Sequence, residues 1–272
     1  MNRLYKYLGV FVFGLLLGKQ GFAQEVETTD FYKEMKNYDL SIVLMADSIS
    51  TDWGIFERSE ILGFIGDNYQ RFYIHFISII QNSTNPYEYF AYGKTKVKEN
   101  ICEFQGIIKV ISAEVYNEMY EMYEFYEDSE LYEKSYNKKR GFTDCEVVLY
   151  ENKQHSYSGF FKGKMRSYFY IDTVTGTFRY DDLESYSDSF ENNQFTGNWT
   201  SYKTKNSKKC NWGNYRIPDS GDLDIGAAYF SVDKEYVKNG WENYMLLLSG
   251  DFEEDSVEYK KALQKENEKW WK

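Results

Sequence analysis

Phe104-Gln-Gly-Ile-Ile108, Phe161-Lys-Gly-Lys-Met165 and Phe195-Thr-Gly-Asn-Trp199 repeat one pattern, Phe-x-Gly-x-apolar. Side chains alternate between the faces of a strand, so the three defining positions of each copy share a face. Around the second copy the other face carries Lys162, Lys164, Arg166, Tyr168 and Tyr170, which marks it as the solvent side. An inward glycine weakens a strand and usually marks a bend or the close approach of another segment. A strongly curled sheet requires glycines of that kind. The pattern predicts a mainly β fold: an antiparallel, strongly curled barrel-like sheet or β-sandwich, with two or three packed helices.

The flanking sequence extends this reading. Strands are predicted at Arg71–Ile80, Tyr87–Lys98, Cys145–Tyr150, Ser158–Asp172, Thr177–Tyr180, Phe195–Thr204 and around Asn211–Ile217. They are rich in β-branched and aromatic residues and are bounded by turn residues. Thr173-Val-Thr-Gly176 is predicted as a hairpin connection. Lys94, Lys96 and Lys98 share one strand face, as expected of a solvated or edge-protecting surface. Leu40–Met45 reads equally as strand or helix. From Ala113 to Tyr136 the period changes. Tyr116, Met119, Tyr120, Tyr123 and Tyr126 fall on one helical face, with Glu114, Glu118 and Glu121 opposite. This predicts an amphipathic helical insertion near 113–136. A second helix is predicted near 252–271, with Asp251 and Glu254 as a capping box and Tyr259, Ala262, Leu263 and Trp270 along one face.

Composition removes several classes. Of 272 residues 19% are aromatic, too many buried rings for a disordered chain. The net charge of −11 denies it the footprint of a general nucleic-acid binder. Arg3 and Lys6, the apolar run Leu8–Gly18, and Gly21-Phe22-Ala23 have the order of a secretory signal peptide over residues 1–23. The apolar run is too short to cross a bilayer, which takes ~20 residues. Residues 24–272 are then a single β-rich domain, expected in the periplasm or outside the cell, with no transmembrane span. Export permits disulfides. Of Cys102, Cys145 and Cys210, the expected bridge is Cys102–Cys145, and no C-x-x-C spacing suggests zinc or redox chemistry.

At Gly197-x-Trp199 the sequence resembles the first-strand signature of lipocalins and related calycins. In lipocalins that strand opens the barrel. Here two or three strands and a helix follow it, so the resemblance implies shared bent-strand physics rather than membership. The junction Gly21-Phe22-Ala23 before Gln24 resembles that of uncharacterised secreted proteins of Bacteroidetes. So does the stretch from Gly197-Asn-Trp-Thr-Ser-Tyr202 through Cys210-Asn-Trp-Gly213 to Gly221-Asp-Leu-Asp-Ile-Gly226. That resemblance implies export, and O-glycosylation at Asp47-Ser48-Ile49, Asp172-Thr173-Val174 or Asp255-Ser256-Val257.

Chemistry-bearing patterns are few. There is no G-x-S-x-G elbow and no phosphate-binding glycine loop. His75 and His155 are far apart in sequence, and a strand histidine usually serves packing. Asp219, Asp222 and Asp224 crowd one turn after Pro218, an oxygen-rich arrangement of the kind that holds calcium, and Asp181-Asp182 is a lesser pair. Trp53, Trp199, Trp212 and Trp241 are available for stacking. The resulting expectation is a secreted non-enzymatic binding protein without a cofactor, taking a small apolar molecule or a glycan through Tyr168, Trp199 and Trp212. The alternatives are an envelope or assembly protein with a protein partner, and a carbohydrate-active hydrolase using carboxylates such as Asp222 and Asp224.

Overall fold

The computed structural model describes residues 27–51, 54–57, 61–117, 137–185, 187–250 and 253–272. Residues 1–23, expected as a signal segment, Trp53, residues 118–136 of the expected helical insertion and Asp251 of the expected capping box lie outside the described residues. No helix among those described is long and apolar enough to cross a membrane.

The strands in chain order are β1 (Thr28–Asp30), β2 (Ser48–Thr51), β3 (Gly54–Glu57), β4 (Leu62–Ile65), β5 (Gln70–Arg71), β6 (Tyr73–Asn82), β7 (Asn85–Val97), β8 (Asn100–Tyr116), β9 (Lys138–Glu151), β10 (Gly159–Asp172), β11 (Phe178–Tyr180), β12 (Asn192–Ser201) and β13 (Ser207–Asn214). The helices are α1 (Ser41–Leu44), α2 (Glu242–Ser249) and α3 (Val257–Glu266). Nine strands form one strongly curled antiparallel half-barrel in the order β5-β4-β13-β12-β10-β9-β8-β7-β6. The two ends of this path, β5 and β6, are separated in the chain only by Phe72, whose N–H donates to Gly63 O at 2.9 Å. The sheet thus curls until its first and last members meet in one bent strand.

The glycines of the repeat produce that curl. Gly163 and Gly197 face each other across β10 and β12, with Phe161 opposite Trp199 and Met165 opposite Phe195. A Cβ at Gly163 would stand 2.2 Å from Thr196 O, and one at Gly106 would stand 2.1 Å from Val148 O. No side chain fits that close, so neighbouring strands bend over one another only where glycine sits. The Phe195 ring lies over Gly163 and Gly197 and fills the space that their missing side chains leave. Bulges at Phe76/Ser78, Val110/Ser112 and Asn192/Phe195 add curvature. At the last of these, Asn192 replaces ladder bonds with its side chain, accepting from Tyr168 N at 2.8 Å and donating to Tyr168 O at 3.0 Å.

The interior is packed at one end. Phe31, Met35, Leu40, Val43 and Leu44 enter it and join the main core with Tyr89, Val147, Phe169 and Trp212. Leu40 N donates to Tyr89 Oη at 2.9 Å, tying this plug to β7. The ambiguous stretch from Leu40 is therefore the helix α1. A second cluster, including Leu62, Phe64, Phe230 and Trp241, sits on the outer side of β4 beneath α2. Arg71 pairs with both carboxylate oxygens of Glu266 on α3, at 2.8 and 2.5 Å, and its guanidinium lies over Tyr73 and Trp241. Beside it His75 stacks on Trp271 at 3.8 Å. Lys96, expected to be solvated, is buried here, 3.8 Å from Glu268 and over the Tyr73 ring. Further round the sheet, Ile80, Phe90 and Ile107 are cross-strand neighbours exposed on the outer face.

Two helical expectations change. Ala113–Tyr116 is strand: Ala113 and Val115 continue the inward alternation of β8, and β1 pairs with this stretch from Thr28↔Tyr116 to Asp30↔Glu114. Pairing on both edges outweighs the helical spacing of the tyrosines. The C-terminal helix, expected from about residue 252, starts at Val257, where Ser256 Oγ caps it by accepting from Tyr259 N at 3.1 Å.

Candidate functional site

The end of the barrel opposite the plug is open. The inward row of β9 runs Cys145, Val147, Leu149 and then Glu151, so an apolar row ends in a carboxylate. Across the interior, the inward row of β7 ends in Thr95 and Val97, that of β10 starts at Gly159 and Phe161, and that of β12 includes Trp199. Of these, Thr95, Val97, Glu151, Phe161 and Trp199, with Ile65, Phe72 and the amides Asn68, Gln70 and Asn100, wall a cavity of about 530 Å³ at the barrel mouth. Lys98, Lys208 and Tyr157 stand at its rim, exposed or half-exposed. Deeper in, the space between Phe76, Ile108, Met165 and Trp212 shrinks to about 10 Å³. The mouth is a bowl and not a channel.

Glu151 is 6% exposed. It accepts hydrogen bonds from Thr95 Oγ1 at 2.6 Å, Gly159 N at 2.7 Å and Trp199 Nε1 at 2.8 Å. Gly159 makes the last contact sterically feasible, because a Cβ there would stand 2.6 Å from Trp199 Cε2. The repeat that bends β12 also positions its terminal indole, since Trp199 occupies the apolar position of the third copy. Burial raises the Glu151 carboxyl above the ordinary glutamate range, and the three donors oppose that shift. None of the ion pairs among the described residues involves Glu151.

The expected ligand contacts separate. Trp199 lines the mouth, half-buried. Trp212 is 1% exposed and stacks on Phe195 at 3.6 Å, with Phe72 and Phe161 around it, so it is a core residue with no face for a ligand. Tyr168 lies seven residues along β10 from Phe161 on the opposite face, roughly 20 Å from the mouth. There it joins Arg166, Asp144 and Phe142.

The calcium expectation is corrected as well. Asp224 is committed to its own loop, accepting from Arg216 Nη1 at 2.6 Å and from Gly226 N and Ser231 N at 3.0 Å. Asp219 and Asp222 are exposed, and no three His, Cys, Asp or Glu side chains among the described residues converge as metal ligands. Arg216 takes the place that a cation would have filled for Asp224.

The Cys102–Cys145 bridge is excluded by register. Cys145 pairs with Val110, eight residues along β8 from Cys102, which separates the two by roughly 26 Å. A bridge needs Cα atoms within about 7 Å. All three cysteines are free and buried, and burial pushes the Cys102 thiol up to about 11 and the Cys145 thiol up to about 12. We expect an aromatic disulfide reagent to label none of them in the native protein and all of them in denaturant. A native thiol reacting within the mixing time would contradict the packing around it.

The strand predicted over Cys145–Tyr150 ends one residue short of Glu151, the last residue of β9. One more step of the alternation Cys145, Val147, Leu149 puts an acid at an inward position, which is the signal that could have found it. No protein-family model matches the chain, and no curated protein or solved structure matches it.

Proposed function

We propose that this is a secreted, non-enzymatic binding protein that holds a small ligand in the barrel mouth. The observation that carries this reading is the mouth itself: aromatic and aliphatic walls around one buried, hydrogen-bonded carboxylate, in a cavity of about 530 Å³. Concave, mainly apolar sites with a few fixed polar groups are the usual form of a small-molecule site. Glu151 is the one carboxylate among the described lining residues, which favours binding over a paired-carboxylate hydrolysis. Export is supported by the charged, apolar and small-residue order of residues 1–23.

Native mass spectrometry of protein recovered from its own host tests the reading. The wild type should carry a dissociable small mass that denaturation removes. Trp199→Ala, which deletes one wall of the mouth and a donor to Glu151, should carry much less of it. A bare wild-type mass, or an adduct retained equally by Trp199→Ala, counts against the mouth as the site.

A further inference from the structure

We infer that the mouth selects ligands bearing a protonated amine on an apolar body, with the ammonium against Glu151 and the body against Trp199, Phe161 and Phe72. This rests on the barrel-mouth reading and narrows it to a ligand class.

Glu151 sits among neutral hydrogen-bond donors. Its three partners are a hydroxyl, a backbone amide and an indole N–H, all neutral. Oε2 accepts two hydrogen bonds and Oε1 accepts one, which leaves acceptor capacity on Oε1. The thiols of Cys102 and Cys210 feel this carboxylate, and burial keeps both protonated, so neither supplies a counter-charge. His155 also acts on the carboxylate, but it stands exposed at the surface and makes no ion pair with it among the described residues. A carboxylate so buried, with no cation in contact, is disfavoured in its ionised form. A ligand that brings the cation recovers that loss in a low-dielectric site, where attraction between charges is strongest.

Lys98 and Lys208 invite the opposite reading, an anionic ligand. Both are at the rim and open to water, where pairing is screened and contributes little. The buried charge outweighs the exposed ones. Aromatic faces near the carboxylate add attraction for a cation. The overall charge of −11 draws cations toward the protein. The closed interior below the bowl limits the ligand to a small molecule.

Isothermal titration calorimetry on the mature chain with matched probes tests this. One set shares an indole body: tryptamine, tryptophol and indole-3-acetate. The other shares a linear body: octylamine, octanol and octanoate. In at least one set the amine should bind about tenfold or more tighter than its alcohol, and the acid should bind weakest. Glu151→Gln should abolish the preference, bringing the amine's affinity down to that of its alcohol. The amide fits the same cage, since its oxygen can accept from Gly159 N and Trp199 Nε1. Thr95 Oγ1 can then accept from the amide nitrogen and turn its own proton to Cys102 O, 3.4 Å away. Circular dichroism checks that the variant is folded. Equal affinity for amine and alcohol, or tighter binding of the acid, overturns amine selection and leaves the mouth a binding site. A preference that survives in Glu151→Gln overturns the role of Glu151. No heat from any probe at millimolar concentration overturns both the selection and the mouth.

Discussion

Replacing Gly163 with valine should cost on the order of 4 kcal/mol or more and leave little cooperative unfolding. A Cβ at this position would stand 2.2 Å from Thr196 O, 2.6 Å from Phe195 Cζ and 2.7 Å from Gly197 Cα. Two of those atoms are backbone of the paired strand, so a rotamer change cannot make room. The strand would have to move away from β12 where Gly163 faces Gly197. That movement would also uncover Phe195, whose ring is stacked on Trp212 in the main core. A whole domain is stable by only about 5–15 kcal/mol, so the loss is a large share of the total. Gly176→Ala supplies the comparison. Its φ is +71°, but no atom lies within 4 Å of the added Cβ. It should cost about 1 kcal/mol from backbone strain alone. Urea midpoints followed by near-ultraviolet circular dichroism separate the two. If both variants unfold at the same midpoint, the curl does not depend on glycine at the crossing of β10 and β12.

The features legible in the sequence are those that depend on alternation. Phe104, Phe161 and Phe195 each announce an inward row, and the glycine two residues on announces the bend. Period two says which face a residue occupies, but not how far along the barrel it lies. Trp199 and Trp212 both point inward, yet only Trp199 reaches the mouth. Their heights are set by the register of β12 against β13, in which Trp212 pairs with Phe195 and Trp199 with Lys208. Register also separates Cys102 from Cys145, which no count of residues between them reveals. The Asp219–Asp224 turn looks like a cation site until Arg216 folds back onto Asp224. Ala113–Tyr116 carries a helical pattern, and the edge pairing with β1 decides against it. Glu151 lay one residue past the predicted end of its strand, and strand ends are the least determined part of such a pattern.

Glu151→Ala and Glu151→Gln should behave in opposite ways, and pH should reveal why. Alanine removes the acceptor for Thr95 Oγ1, Gly159 N and Trp199 Nε1 at once. An unsatisfied buried donor costs about 1–3 kcal/mol. Water entering from the mouth and relief of the buried charge offset part of this, leaving an expected loss of about 3 kcal/mol. Glutamine keeps the hydrogen bonds and deletes the charge. The sign of its effect follows from linkage. The folded carboxyl titrates above the unfolded one, whose ordinary value is about 4.5, because burial disfavours the ion. Between the two values the native state holds a proton that the unfolded chain has released. The stability of the wild type relative to Glu151→Gln therefore falls as pH rises through that window, and levels off above it. Taking the difference between the proteins cancels the remote carboxylates. Of the groups that couple to Glu151, burial holds Cys102 and Cys210 protonated and Tyr202 is raised, so a His155→Gln background removes the remaining one. Urea unfolding across a pH series measures the difference directly. A flat difference would mean that Glu151 titrates no differently in the folded chain, and a rising one would mean that the folded site already supplies a counter-charge. An ammonium ligand should reverse the slope, because it binds the ionised form and is held more tightly as the proton leaves.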